Sequence, residues 1–196
     1  MAPNGWVNYD ASPTLKFERI PILGKIYTKN SQRFPKNVKF GDIIRGLPHE
    51  KSSVQGIFCS HVLEHLSLED CRKALRNTFE YLKPGGIFRL VVPDLEHALK
   101  EYEKDKSPEA SIHFMENTLL GKSCRRGIMR QIIECVFGNS KHLWMWDEKS
   151  MKKELLNAGF FRVRRAEYGD SPDPRFKEVE NEDRFLNCLA LEAEKK

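Results

Sequence analysis

The chain has 196 residues and a mass of 22.8 kDa, with 40% hydrophobic and 31% charged residues. A chain of this length can bury a sizeable core and matches the usual size of one domain, so we predict a single domain over residues 1–196. Its 10 prolines and 12 glycines are too few for a disordered or fibrous protein.

The charge pattern and the apolar runs indicate which kinds of partner and location the protein can have. The net charge of +5 is spread along the chain, so we do not expect nucleic-acid binding. Small basic clusters at 122–130 and 162–165 fit solvated surfaces, with an anion-binding surface as the alternative. No apolar run reaches the length of about 18 residues that a membrane span needs, and the chain starts without a signal segment. We therefore expect a cytoplasmic protein without a membrane span.

The five cysteines, at positions 59, 71, 124, 135 and 188, form no C-x-x-C pair. Their odd number and wide spacing argue against a disulfide framework and against a cysteine zinc site. We expect reduced and mostly buried thiols.

The first elements in chain order are two short strand candidates. "WVNYD" (Trp6–Asp10) and "NVKFGDI" (Asn37–Ile43) are apolar or β-prone, and each closes on an aspartate. Residues 12–36 between them have no sustained period, so we expect a loop with at most one helical turn.

A buried strand and a helix follow. "VQGIFC" (Val54–Cys59) is short, β-branched and aromatic, which predicts a buried strand. Apolar residues then recur at helical spacing from Leu68 to Leu82. Ser67 and Asp70 form a capping box at the start of this helix, and the "PGG" at 84–86 predicts its end.

"IFRLVV" (residues 87–92) is almost uninterruptedly apolar, which predicts a strand covered on both faces. Asp94 then suits the N-cap of another helix. Residues 105–138 indicate one or two helices interrupted near "GKSCRRG", and "NSKHLWMWDEKS" indicates a connector. A further helix is expected from Lys149 to Ala158, ended by Gly159.

The last two strand candidates are "FFRVRRAEY" and "FLNCLALEA", joined by a long polar loop. That loop is consistent with an antiparallel pair at the end of the sheet. The preceding alternation of strands and helices implies parallel pairing, with helices on both faces of an open sheet. The predicted fold class is therefore α/β, and ligands should bind beyond the carboxyl ends of the strands.

The segment "HVLEH" (residues 61–65) lies at such a strand end and has the H-x-x-E-H spacing of a zinc protease motif. Two histidines at i and i+4 chelate one metal only if both lie on one continuous helix. Here a strand runs into His61 and the helix is capped at Ser67, so the motif spans a connection. We therefore predict no metal site from this motif.

The run "GIFCSHVLEHLSLEDCRKALRNTFEYLKPGGIFRLVVPDLE" (Gly56–Glu96) resembles the central block of the class I S-adenosylmethionine-dependent methyltransferases. "GWVNYDAS" resembles the second-strand segment of that family and "FGDIIRGLP" the third. "HLWMWDEKSMKKELLNAGFFRVRRAEYGDS" resembles the tail of a compact subgroup of bacterial methyltransferases. The resemblance implies a Rossmann-like sheet, mostly parallel with an antiparallel last strand. It marks residues 105–147 as a helical insertion or substrate-side segment.

The resemblance also implies cofactor-binding residues for S-adenosylmethionine. Asp10 matches the acidic residue that accepts hydrogen bonds from the ribose hydroxyls, with a turn cap as the alternative role. Asp42 and Ile43 match the loop that contacts the adenine, although Asp42 equally suits ordinary turn chemistry. Ser60 matches the end of the fourth strand, beside the methyl-transfer site.

His61 is the first candidate for the catalytic base, because it matches the same strand end and methyl transfer needs a base when the acceptor carries a proton. A purely structural histidine is an equal alternative, and His142 and Asp94 are weaker candidates. Trp144 and Trp146, with His142, are candidates for acceptor binding. The tryptophans could also cover the cofactor's sulfonium, a cation that aromatic faces attract. Packing is the alternative role for both tryptophans.

One family element has no counterpart in this sequence. Class I methyltransferases begin with a strand and a glycine-rich loop whose amides approach the cofactor closely. Met1 stands directly before the second-strand segment. A start internal to a longer enzyme, closure of the gap by other strands, and a degenerate relative are the three explanations.

The leading hypothesis is an S-adenosylmethionine-dependent methyltransferase with a small-molecule or sugar-type acceptor. The alternative is a non-catalytic binding or scaffold protein with the same fold, because the glycine-rich loop is missing. The sequence names neither the acceptor nor the attacked atom, and it allows an oligomer.

Overall fold

A computed structural model describes Pro3 and residues 5–20, 33–121 and 141–196. These residues belong to two compact units. The first unit contains the described residues up to Leu47, and the second contains Pro48–Gly121 and Lys141–Lys196. A single domain over residues 1–196 stays a prediction. Within the described ranges, no helix combines the length and apolarity that crossing a membrane requires.

The first unit is built on two short parallel strands. Strand β1 (Asn8–Asp10) pairs with β2 (Val38–Phe40), and Asp10 stands opposite Phe40. Helix α1 (Pro13–Glu18) follows β1 and is capped by Ser12. Both strands are shorter than predicted. The second ends early because the chain folds back on itself, forming an isolated bridge between Asp42 and Gly46.

The second unit is built on a four-stranded sheet in the order β3-β4-β6-β5. Strands β3, β4 and β5 of this sheet point in one direction, and β6 runs antiparallel to both of its neighbours. This arrangement confirms the predicted reversed last strand. The strands are β3 (Val54–Ser60), β4 (Leu82–Pro93), β5 (Phe160–Arg165) and β6 (Cys188–Lys195).

Four α-helices of the second unit are described. They are α2 (Leu68–Tyr81), α3 (Leu95–Lys104), α4 (Ala110–Asn117) and α5 (Glu148–Asn157). The predicted caps are confirmed, because Ser67 accepts the Asp70 N–H and Asp94 accepts the Glu96 and His97 N–H groups. Short 3₁₀ turns also occur at Leu63–His65, Pro174–Glu178 and Glu182–Arg184.

The core of the second unit lies against β4, whose residues 88–92 are all buried. On one face, Phe88 stacks on Phe160 with ring centroids 5.5 Å apart. Val91 packs separately with Ala166 and Ala190. The prediction of a strand covered on both faces is confirmed.

The predicted stop of α2 at the "PGG" of residues 84–86 is wrong in position. Helix α2 ends at Tyr81, and Leu82 already pairs with Val54 as the first residue of β4. The "PGG" residues instead lie within a register shift between β3 and β4. Gly86 suits this shift, since an added Cβ would come within 2.8 Å of the Lys83 carbonyl oxygen.

Arg89 is a buried charge in the otherwise apolar β4. Its guanidinium donates to Glu180, Asp170 and Glu192 at 2.6, 2.9 and 2.8 Å. These bonds attach the long polar loop after β5 to the sheet. Arg162, Arg164 and Arg165 also form ion pairs with carboxylates of the second unit.

The cysteines of the described residues, Cys59, Cys71 and Cys188, are free thiols, and only Cys71 is fully buried. Cys124, Cys135 and the basic cluster at 122–130 lie outside the described residues.

Candidate functional site

Asp10 is the last residue of β1 in the first unit. Its Oδ1 accepts the Ser12 N–H at 2.6 Å, so the carboxylate closes the turn between β1 and α1. Burial is the larger effect on this half-buried group and raises the pKa of Asp10, while the Ser12 bond lowers it. No described residue forms a hydrogen bond with its other oxygen, which can therefore accept one from a ligand.

Asp42 and Ile43 lie at the same edge of this small sheet, just beyond β2. The Gly41 N–H donates to the Asp10 carbonyl oxygen at 3.1 Å, which brings the two strand ends together. The Asp42 Oδ1 accepts the Ile44 N–H at 2.9 Å. The first unit thus presents two carboxylates at one edge of its sheet. Each carboxylate accepts a hydrogen bond from the backbone N–H two residues later in the chain.

In the second unit, Ser60 and His61 mark the carboxyl end of β3. The Ser60 hydroxyl accepts a long hydrogen bond of 3.4 Å from Arg184. His61 has a positive φ of 54°, a conformation that turns the chain sharply out of the strand, while its N–H still donates to Val91 at 2.9 Å. A residue held this way at a strand end is a common feature of functional sites.

The His61 ring faces hydrogen-bond acceptors on both sides. Its Nε2 lies 3.2 Å from the Arg184 carbonyl oxygen, and its Nδ1 lies 3.2 Å from Oε1 of Glu64. The pKa of His61 is raised to about 10, first by its contact with Cys188 and second by its contact with Glu64. A raised pKa favours the protonated ring, which donates hydrogen bonds and accepts no proton.

The "HVLEH" segment contains only one turn of 3₁₀ helix, Leu63–His65, and His61 lies outside it. The two histidines of the motif are therefore not on one continuous helix, as the sequence context predicted. His65 turns away instead, and its Nδ1 lies 3.1 Å from the Lys141 carbonyl oxygen.

The connector before α5 folds back onto this 3₁₀ turn. The N–H groups of Leu143 and Trp144 both donate to the Glu64 carbonyl oxygen, at 2.7 and 3.1 Å. This contact brings His142 beside His65, with ring centroids 5.0 Å apart. Burial is the largest cause that lowers the pKa of His142.

The two tryptophans occupy different environments. Trp146 is 1% exposed and belongs to the core, and its carbonyl oxygen accepts the Leu95 N–H at the start of α3. Trp144 is 39% exposed, and its ring centroid lies 6.0 Å from that of Trp146. Trp144 is thus the one of the pair whose side chain a ligand can reach.

Asp94 is already occupied by structural contacts. Besides capping α3, its Oδ2 accepts a hydrogen bond of 3.1 Å from Arg165. Both carboxylate oxygens therefore already accept hydrogen bonds, which makes Asp94 a poor proton acceptor for a substrate.

A cleft of about 430 Å³ beside α3 and α4 could not be inferred from the sequence. Its lining includes Tyr102, Phe114 and an ion pair in which Nδ1 of His113 lies 2.7 Å from Oδ2 of Asp105. The pair raises the pKa of His113 and lowers that of Asp105 to about 2. The volume and the mixed lining suit a small molecule.

A family model described as a methyltransferase domain matches residues 2–163, most of the chain. The chain belongs to this methyltransferase family. The family assignment confirms the resemblance carried by the run Gly56–Glu96, and S-adenosylmethionine is the cofactor that the class I methyltransferase assignment implies.

Solved methyltransferases are similar to this chain at low sequence identity. A SAM-dependent methyltransferase from Archaeoglobus fulgidus is 17% identical, over 81% of this chain and 67% of that one, with a TM-score of 0.46. The 1,6-didemethyltoxoflavin-N1-methyltransferase of Burkholderia thailandensis is 14% identical, over 82% and 52% of the two chains, with a TM-score of 0.42. This chain thus spans about two thirds of the first structure and about half of the second. No curated protein matches it.

Proposed function

We propose that this chain binds S-adenosylmethionine and transfers its methyl group to a small-molecule or sugar-type acceptor. The observation that carries the proposal is the methyltransferase family match over residues 2–163. The cofactor supplies an electrophilic methyl group on a sulfonium, and the chain's own residues bind, align and move protons around it.

The first unit supplies the proposed contacts to the nucleoside. Asp10 keeps one oxygen for the ribose hydroxyls after binding the Ser12 N–H, and a carboxylate is a strong acceptor for a vicinal diol. Asp42 accepts the adenine amine, and Ile43 covers the ring. Ser60, at the end of β3, is the proposed contact of the second unit to the cofactor.

The acceptor is proposed to bind to the second unit. The cleft lined by Tyr102 and Phe114 has the volume of a small-molecule site, and part of its lining, including Phe114, belongs to the segment that the sequence marked as substrate-side. His142 and Trp144 are further acceptor contacts, whereas the burial of Trp146 favours a packing role. During transfer, a lone pair of the acceptor forms a bond to the methyl carbon while the carbon–sulfur bond breaks.

His61 remains the proposed catalytic residue at the strand end. As an imidazolium it donates hydrogen bonds, and once neutral it can accept the proton that the acceptor loses. His61→Asn is the matched variant, because asparagine also tolerates a positive φ. We expect kcat to fall on the order of a hundredfold while S-adenosylhomocysteine binding stays unchanged.

Calorimetric titration with S-adenosylhomocysteine tests the cofactor step. We expect saturable binding to the wild-type chain and weaker binding to Asp10→Asn, which keeps an acceptor for the Ser12 N–H but loses the charge. Asp183→Asn, at an exposed position in the second unit, removes the same charge and serves as the control.

Incubation with labelled S-adenosylmethionine and a panel of hydroxylated and amino acceptors tests the transfer step. Label in an acceptor supports the enzyme. Cofactor binding without label in any acceptor favours the alternative of a non-catalytic binding protein. The cytoplasmic location and the small-molecule partner are part of the same proposal.

A further inference from the structure

Buried carboxylates in the described part of the chain almost all have an arginine partner. Five acidic residues are buried, and four of them accept hydrogen bonds from a guanidinium. The four pairs are Asp94 with Arg165, Glu154 with Arg72, and Glu180 and Glu192 with Arg89. Glu64 is the fifth.

Glu64 lacks such a partner even though it is fully buried. It is 0% exposed, and both carboxylate oxygens are buried without a hydrogen bond. His61 lies within ion-pair distance of Oε1, at 3.2 Å, but its Nδ1 is not aligned for a hydrogen bond. The His61 ring can therefore supply positive charge beside Glu64, but it leaves both oxygens without a hydrogen bond, and a buried carboxylate in that state is costly.

Two imidazoles stand beside this carboxylate. Glu64, His65 and His142 each offer one ligand atom, and these three atoms lie within 4.8 Å of one another. Nδ1 of His142 is buried without a hydrogen-bond partner. The three residues lie in one unit, and the backbone bonds from Leu143 and Trp144 to Glu64 hold the connector in place.

The tautomer of His65 fits metal binding. A carbonyl oxygen can only accept, so the contact between Nδ1 of His65 and the Lys141 carbonyl requires the proton on Nδ1. The neutral ring then has its lone pair on Nε2. Metal-binding histidines in proteins are oriented in the same way, by a second hydrogen bond to a backbone carbonyl.

We propose that Glu64, His65 and His142 bind one divalent transition-metal ion. Two imidazoles and one carboxylate suit zinc and its neighbours, whereas Mg²⁺ and Ca²⁺ prefer oxygen ligands throughout. Three protein ligands leave a position for water or another oxygen ligand. The site differs from the protease interpretation of "HVLEH", because His142 from the distant connector replaces His61. It does not depend on the proposed methyl transfer.

The test is a cobalt titration of the untagged chain after removal of bound metal with a chelator. We expect one equivalent of Co²⁺ to bind with a visible d–d absorption band, and Zn²⁺ to displace it. Glu64→Gln and His142→Asn should each weaken Co²⁺ binding at least about tenfold, since even changes beyond the first ligands have effects of this order. His113→Ala removes an exposed histidine that also pairs with a carboxylate, and it should not change the affinity.

Folding is checked by the far-ultraviolet circular dichroism and melting temperature of each metal-free variant. Glu64→Gln keeps the volume but loses the contact with His61, so the metal-free variant should keep the wild-type circular dichroism and unfold in one cooperative transition, whatever its melting temperature. Zn²⁺ should raise the melting temperature of the wild type and not that of Glu64→Gln. Binding of less than one equivalent, or equal Co²⁺ affinity of the wild type and a folded Glu64→Gln, would overturn the proposal.

Discussion

The carboxylates at the strand ends of the first unit and the carboxylate after β3 in the second unit differ in what binds them. Asp10 and Asp42 each accept a backbone N–H two residues away, at 2.6 and 2.9 Å. Glu64 accepts no hydrogen bond at either oxygen and is fully buried. Asp10 can offer its other oxygen to neutral donors of a ligand, whereas Oδ2 of Asp42 lies 3.5 Å from Nε of the exposed Arg45. Glu64 has only the unaligned His61 ring, 3.2 Å from Oε1, and its oxygens remain available to bind a metal ion.

Glu64, His65 and His142 belong to the second unit, whose core contains Trp146. Substitution of Trp146 has the largest expected effect. Trp146→Ala should lower the free energy of unfolding by about 3 to 5 kcal/mol, because the side chain is fully buried. Trp144→Ala is the matched variant and should lower it by about 1 kcal/mol or less. Urea unfolding followed by circular dichroism measures both. Equal losses for the two variants would contradict the assigned environments.

Gly41→Ala tests the edge of the first unit, which carries Asp10 and Asp42. An added Cβ would lie 2.5 Å from Cδ1 of Tyr9 and 2.6 Å from Cδ2 of Leu47. We expect a loss of about 1 to 3 kcal/mol from this overpacking, with weaker S-adenosylhomocysteine binding. Lys39→Ala, at an exposed position of β2, is the control. Unchanged stability and binding in Gly41→Ala would show that the close packing is not needed.

Glu154 is a buried carboxylate that, unlike Glu64, has an arginine partner, and Glu154→Gln removes its charge. Hydrogen bonds from Arg72 are the largest cause that lowers the pKa of Glu154 below its ordinary value of 4.5. A lowered folded pKa stabilises the protein above the unfolded pKa, and this contribution is lost as the pH falls through the folded pKa.

At neutral pH, Glu154→Gln should therefore be less stable than the wild type by about 1 kcal/mol or less, because Arg72 is partly exposed. The difference should shrink as the pH falls below 4.5. Urea unfolding at a series of pH values gives the difference directly. A difference that is constant between pH 3 and 7 would mean that the Arg72 pair does not set the pKa of Glu154.

The sequence predicted the order and direction of the second-unit elements well, since each one has a strong local signal. The apolar run at 87–92, the caps at Ser67 and Asp94 and the helical period between them depend on neighbouring residues only. The end of α2 was misplaced because Leu82 pairs with Val54, a contact that no local pattern contains.

The candidate sites were predictable to different degrees for the same reason. Asp10, Ser60 and His61 could be named because the resemblance to the methyltransferase family assigns roles to the ends of two recognisable strands. The grouping of Glu64 with His142 could not, because it depends on how the connector folds back onto the 3₁₀ turn. The burial of Arg89 within an apolar strand likewise depends on Glu180 and Glu192, about ninety or more residues later.

The most direct test of the proposed function is the calorimetric titration of S-adenosylhomocysteine into the wild-type chain and Asp10→Asn, with Asp183→Asn as the control. We predict one saturable site in the wild type and in Asp183→Asn. Binding should be at least about tenfold weaker in Asp10→Asn, which corresponds to the loss of one charged hydrogen bond of roughly 1.5 kcal/mol or more. No heat of binding in the wild type, or equal affinity in all three chains, would contradict it.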